Sequence, residues 1–167
     1  WRKNMKILSM KTTIFLGAML SLLVCLMFTG CSNSETNSTS RGLTDFAHIE
    51  EEYLATIDSL NWPDGITLPD KLEDEDTGAS FQVGYGETRA SYLWEYSWMK
   101  EWLDTYNTDP ERAEKALEEL EKAFDMPYMG IDRCDDATRN YLRENIDKAK
   151  LGDPSGFTES IRANYAN

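Results

Sequence analysis

The segment from about Glu87 to Tyr106 constrains the fold of this chain more than any other part of it, because it carries two adjacent apolar rows rather than one. Tyr92, Tyr96, Met99, Leu103 and Tyr106 form the first row, and Trp94, Trp98 and Trp102 recur at i, i+4 and i+8 beside it. At about 100° per residue of an α-helix, the combined apolar arc covers about half the circumference. A helix that apolar is predicted to be the central one, the hub on which the others pack. The three indoles also make Trp94, Trp98 and Trp102 the candidate ligand or partner contacts, since aromatic side chains stack on sugar rings and anchor protein interfaces. The competing role is structural: the indoles would fill the core beneath the long loop that precedes the helix.

The rest of the folded part reads as single-faced helices. Thr44 can cap a helix starting at Asp45, in which Phe46, Ile49, Tyr53, Ile57 and Leu60 recur at spacings of three and four. Asn61-Trp62-Pro63-Asp64-Gly65 stops it, because proline restricts its predecessor and Asp-Gly favours a turn. Pro69 and the acidic run to Asp76 indicate a loop, after which Phe81, Val83 and Tyr85 alternate with Gln82 and Gly84 as a short extended piece. Asp109-Pro110 opens a third helix with Ala113, Leu117, Leu120 and Phe124 inward, and Pro127 and Gly130 end it. Asp135 or Asp136 begins a fourth, carrying Leu142, Ile146 and Ala149 and closed by Gly152. Asp153-Pro154 opens a short fifth with Phe157, Ile161 and Tyr165. The expected fold is therefore mainly α: a small single-domain bundle of four to five helices with a long loop and one short extended segment.

Ahead of this domain stands a different kind of sequence. Residues 1 to 11 carry Arg2, Lys3, Lys6 and Lys11 and no acid, and the 15 residues from Ile14 to Phe28 carry no charge. That apolar run falls short of the roughly 20 residues a bilayer-spanning helix needs, so it reads as the core of a signal peptide. Phe28-Thr29-Gly30-Cys31 resembles the lipobox of bacterial lipoproteins, with the small Gly30 directly before the cysteine and Phe28 where that family most often has Leu. The resemblance covers about four residues. It implies cleavage of residues 1–30, acylation of Cys31, and attachment to a membrane through that lipid, on the extracytoplasmic face of the cell membrane. Residues 31–42, rich in Ser, Thr and Asn, then serve as a flexible tether, and residues 43–167 form the acidic helical domain.

Charge and cysteine content limit what the domain can do. The leader holds four of the 17 basic residues, so a chain beginning at Cys31 keeps 13 against 30 acidic ones, a net charge of −17. Such a surface is repelled by phosphate backbones, which argues against nucleic-acid binding, and it leaves the lipid as the membrane contact. With Cys25 lost and Cys31 acylated, Cys134 has no partner within the chain, so packing rather than disulfides must hold the fold.

No catalytic motif is recognisable. His48 is the only histidine and lies among Glu50, Glu51 and Glu52, with no second histidine or cysteine nearby to complete a zinc site. Cys134 stands between Arg133 and Asp135, whose effects on a thiol oppose each other. Gly84-Tyr85-Gly86 precedes a helix, where backbone N–H groups can receive an anion, although a tight turn explains the glycines as well. Asp70, Glu73, Asp74, Glu75 and Asp76 could offer oxygen ligands to Ca²⁺ but lack the calcium-loop spacing, and they read as a solvated loop. Neither a metal nor a cofactor is expected. The sequence points to a non-catalytic binding or assembly module of the cell envelope that contacts a neighbouring membrane or envelope protein. A solute or carbohydrate receptor using the tryptophans, and less so a small cell-envelope hydrolase, are the alternatives.

Overall fold

The computed structural model of the chain describes residues 42–73 and 75–165. The leader and Cys31 lie outside the described residues, as does Asp74. The elements run β1 (Leu43–Thr44), α1 (Phe46–Ser59), β2 (Phe81–Gln82), α2 (Tyr85–Thr105), α3 (Pro110–Glu121), two 3₁₀ turns (Lys122–Asp125 and Pro127–Met129), α4 (Asp136–Lys150) and α5 (Ser155–Asn164). The described part is a mainly helical bundle of five helices, as the periodicity predicted. No helix among the described residues is long and apolar enough to cross a membrane.

Local chemistry sets the helix boundaries. Asp45, rather than Thr44, caps α1, its carboxylate accepting from the His48 N–H at 3.1 Å. Asp109 and Asp135 do the same for α3 and α4, through the N–H groups of Arg112 (3.2 Å) and Thr138 (2.7 Å). Each side chain satisfies a donor that the first helical turn would otherwise leave unpaired. The extended piece is shorter than the alternation suggested. Only Phe81 and Gln82 pair, antiparallel with Thr44 and Leu43, and Tyr85 is already the first residue of α2.

The reason lies in Gly84, whose φ of 87° turns the chain in a left-handed conformation that glycine adopts at no steric cost. The anion received at this turn is the protein's own. Glu52 of α1 accepts from the N–H groups of Gly84 (2.7 Å) and Gly86 (3.2 Å), so a carboxylate occupies the N-terminus of α2 from within the fold. Gly86 also sets the crossing of the two helices. A Cβ there would stand 2.8 Å from the Ile49 carbonyl carbon and closer still to its oxygen, so α1 and α2 touch backbone to backbone.

The close approach gives α2 a third contact face, separate from the two apolar rows of the sequence. On one side it meets Ile49, Tyr53 and Ile57 of α1 through Gly86, Ala90 and Leu93. On the other, Trp94, Trp98, Met99 and Trp102 join Ala116 and Leu120 of α3, Leu142 and Ile146 of α4 and Phe157 of α5 in the main core. Among the described elements α2 packs against α1, α3, α5 and the second 3₁₀ turn, which makes it the hub. Of its two rows the tryptophans are the deeper. Tyr92 is exposed and Tyr96 half-buried, because the first row lies at the edge of the packed face rather than its centre.

Candidate functional site

The residue that stands out chemically is Glu95, one position past Trp94 and therefore inside the apolar arc of α2. Its side chain is 7% exposed. Tyr128, placed by the 3₁₀ turn after α3, donates its hydroxyl hydrogen to Glu95 Oε2 at 2.7 Å. None of the ion pairs among the described residues includes Glu95. Burial without a countercharge disfavours the carboxylate form. The group's pKa is pushed up from 4.5 to about 7, the Tyr128 hydrogen bond opposing the rise only in part. Burial likewise raises Tyr92, Tyr128 and Tyr165 above the ordinary phenol value, the neighbouring Glu95 charge adding to each.

Glu95 lines a cavity of about 320 Å³ between α2, α4 and α5. Tyr92 on α2 and Met129 before α4 form one wall, and Thr138, Tyr141 and Leu142 of α4 another. Ser160 and Asn164 of α5, with Tyr165 just past its end, complete it. Two ring contacts brace the lining: Tyr92 stands edge-on to Tyr128 at 5.6 Å, and Tyr96 lies against Tyr165 at 4.9 Å. The Tyr165 hydroxyl donates to the Tyr92 carbonyl at 3.3 Å, tying the C-terminal end of α5 to the hub helix. A small concave site with one buried acid and several hydroxyls has the form of a ligand pocket, and perturbed acids concentrate at such places. No protein-family model, curated protein or solved structure matches the chain. The candidate site therefore rests on its own geometry.

The stability of the protein should report the state of Glu95. Below about pH 4.5 the carboxyl is protonated whether the chain is folded or not, and the favourable burial of its neutral form is fully present. As pH rises from there to about 7 the unfolded chain loses its proton while the folded one keeps it, so stability falls; above that it levels off. The gap between the two values corresponds to about 3 kcal/mol. Glu95→Gln cannot ionise and still accepts from Tyr128. It should match the native protein at pH 4.5 and unfold at a higher urea concentration at pH 8. Equal midpoints at pH 8 would mean that Glu95 is solvated or paired.

The residues singled out in the sequence have other places. Trp94, Trp98 and Trp102 are 1–2% exposed, which corrects their assignment as ligand or partner contacts. The Nε1–H groups of Trp94 and Trp98 both donate to the Asn61 carbonyl, at 2.8 and 3.2 Å, so these indoles do pack beneath the start of the loop after α1. Trp102 stacks on Tyr106 at 4.6 Å and meets Phe157 edge-on, and although it borders a groove beside α3 it is only 2% exposed. The physical reason is that α2 is covered on both sides.

Among the acidic loop residues, Glu75 accepts from the Tyr85 hydroxyl (2.8 Å) and pairs with Arg89, Glu73 pairs with Lys71, and Asp76 closes a turn on the Gly78 N–H. Their carboxylates are spread over separate contacts, and no group of three potential metal ligands occurs among the described residues. His48 sits 3.3 Å from Glu52 on the exposed side of α1. Cys134 contacts the Met129 sulfur at 3.5 Å. Burial pushes its thiol pKa up, with Arg139 opposing and Asp135 adding to the rise, the reverse of what a nucleophile needs.

Sequence reasoning missed Glu95, although a signal was present. Tyr92, Trp98 and Met99 lie three before, three after and four after it, so a lone acid sits where three of its four helical neighbours are large apolar or aromatic side chains and the fourth is Ser91.

Proposed function

We propose that the chain is a lipid-anchored protein of the extracytoplasmic face of the cell membrane, whose helical domain is a non-catalytic binding module with the cavity over Glu95 as its ligand-holding feature. The observation that carries this reading is a nine-tenths-buried carboxyl group, without a cation, facing a cavity rimmed by tyrosines. Folding alone does not favour such a group, since an apolar side chain of similar size would be cheaper to bury. Hydrolysis by paired acids would require a second carboxylate across the cleft. Among the described residues that line the cavity Glu95 is the one acid, and its other partners are hydroxyls, an amide and apolar groups. The anchor rests on the basic leader, the uncharged run and Gly30-Cys31. The acidic surface would keep the domain off an anionic bilayer and present it to solutes or to a neighbouring envelope protein.

Two measurements test the proposal. Intact-mass analysis of the native protein should give a chain beginning at Cys31 and carrying diacylglycerol, and Cys31→Ser should move the protein out of the membrane fraction. An unprocessed N-terminus would overturn the anchor. For the module, the detergent-purified protein should show a rise in Tm with at least one class in a panel of small amines, sugars, alcohols and carboxylates, or retain a specific envelope protein on purification. Silence in both assays would overturn the binding role.

A further inference from the structure

The chemistry of the cavity narrows its ligand class, an inference that rests on the binding role proposed above. We propose that the cavity between α2, α4 and α5 takes a small organic ammonium ion, its charged nitrogen against the Glu95 carboxylate and its carbon substituents among the rings of Tyr92, Tyr141 and Tyr165.

Three features of the lining select this class. The first is charge: Glu95 supplies a full negative charge on ionisation, and among the described residues no lysine or arginine lines the cavity to neutralise it or to hold an anion. Arg139 of α4, next in sequence to the lining residue Thr138, is turned to the Met129 and Cys134 carbonyls and to Asp136. The second is the aromatic rim. Tyrosine rings attract ammonium groups, and Tyr92, Tyr141 and Tyr165 line the cavity together with Glu95. The third is size: about 320 Å³ holds on the order of ten water molecules at their liquid volume, so it suits a ligand of about that many heavy atoms. A divalent cation would need several oxygen ligands of full or partial charge, which one carboxylate does not provide. The surrounding charge of the domain acts in the same direction by concentrating cations near its surface.

The occupant would replace a proton. In the empty cavity Glu95 is about half protonated near neutral pH, so binding an ammonium ion should expel that proton. The ionisable groups that face Glu95 from the packed elements are Tyr92 on α2, Tyr128 in the turn before α4, Cys134, Tyr141 on α4 and Tyr165 beyond α5. The shifts of Tyr92, Tyr128, Cys134 and Tyr165 are all upward, away from the pH range in which Glu95 titrates. Affinity should consequently fall about tenfold between pH 8 and pH 6, following the single carboxyl.

The experiment is calorimetric titration of the detergent-purified full-length protein with n-butylamine, choline and phenethylamine, using n-butanol and butyrate as neutral and anionic counterparts of the same skeleton. At least one ammonium compound should bind at pH 8 and weaken about tenfold at pH 6, while butanol and butyrate give no heat. Glu95→Gln, which retains the Tyr128 hydrogen bond, should weaken that binding at least tenfold and abolish its pH dependence. Tyr141→Leu, a change at a half-exposed rim position, should weaken it severalfold without altering the pH profile. Butanol binding as well as butylamine, or ammonium binding unchanged in Glu95→Gln, would overturn the ammonium assignment. If no amine binds but another class in the panel does, this assignment fails and the binding role stands; if no class binds and no partner co-purifies, both fail.

Discussion

Trp98→Ala is expected to cost about 3–5 kcal/mol, a large share of the 5–15 kcal/mol that holds a typical domain folded. The indole is 1% exposed, at the meeting of α2, α3 and the loop after α1, so its removal leaves a cavity inside the main core. Trp94→Ala should be comparable, because its ring is equally buried and its Nε1–H donates to the same Asn61 carbonyl. That shared acceptor gives the prediction a finer form. Replacing either tryptophan by phenylalanine leaves the Asn61 carbonyl one donor, whereas the double change leaves it none, so the pair should lose more together than the sum of its single losses. Urea unfolding followed by circular dichroism measures all of these. Losses below 1 kcal/mol for both alanine variants would mean that the indoles lie outside the core.

Gly86→Ala is the second large effect. Alanine is ordinarily the better helix former by about 1 kcal/mol, and position 86 lies inside α2, so local propensity alone forecasts a gain. The tertiary contact reverses the sign. The new methyl group would be driven into the Ile49 carbonyl and to within 2.9 Å of the Tyr53 nitrogen, and backbone atoms cannot move aside as a flexible side chain can. Separating α1 from α2 would also pull Glu52 away from the N–H groups of Gly84 and Gly86. A net loss of about 3 kcal/mol is expected, seen as a fall in Tm of roughly 10 °C. Gly42→Ala serves as the control, since a Cβ there meets nothing within 4 Å. If Gly86→Ala melted with or above the native protein, the close crossing of the two helices would be refuted.

Much of the helical architecture was legible beforehand because its causes are local. Asp109-Pro110, Asp135 and Asp153-Pro154 announce helix starts through groups no more than four residues away, and the spacings of Ile49, Tyr53 and Ile57 or of Leu142, Ile146 and Ala149 mark a buried face within a single helix. The strand-like reading of Phe81 to Tyr85 overshot, because alternation alone does not reveal that Glu52, more than 30 residues earlier, binds the turn at Gly84 and lets α2 begin at Tyr85. The tryptophan row was seen as apolar, but apolar and exposed are both compatible with one helix taken alone. Its burial followed from a second layer on the far side of α2, which no periodicity within residues 87 to 106 encodes.

By itself, then, the sequence determined the helical class, the order of the helices, the caps of α3 and α4, the central place of α2 and the acidic surface, since each depends on neighbours along the chain or on composition alone. Only the tertiary structure decided that the indoles fill the core, that the glycines receive an internal carboxylate, and that Glu95 faces a tyrosine-lined cavity. These follow from contacts between elements distant in sequence, and burial, unlike periodicity, is a property of what packs against a residue and not of the residues beside it.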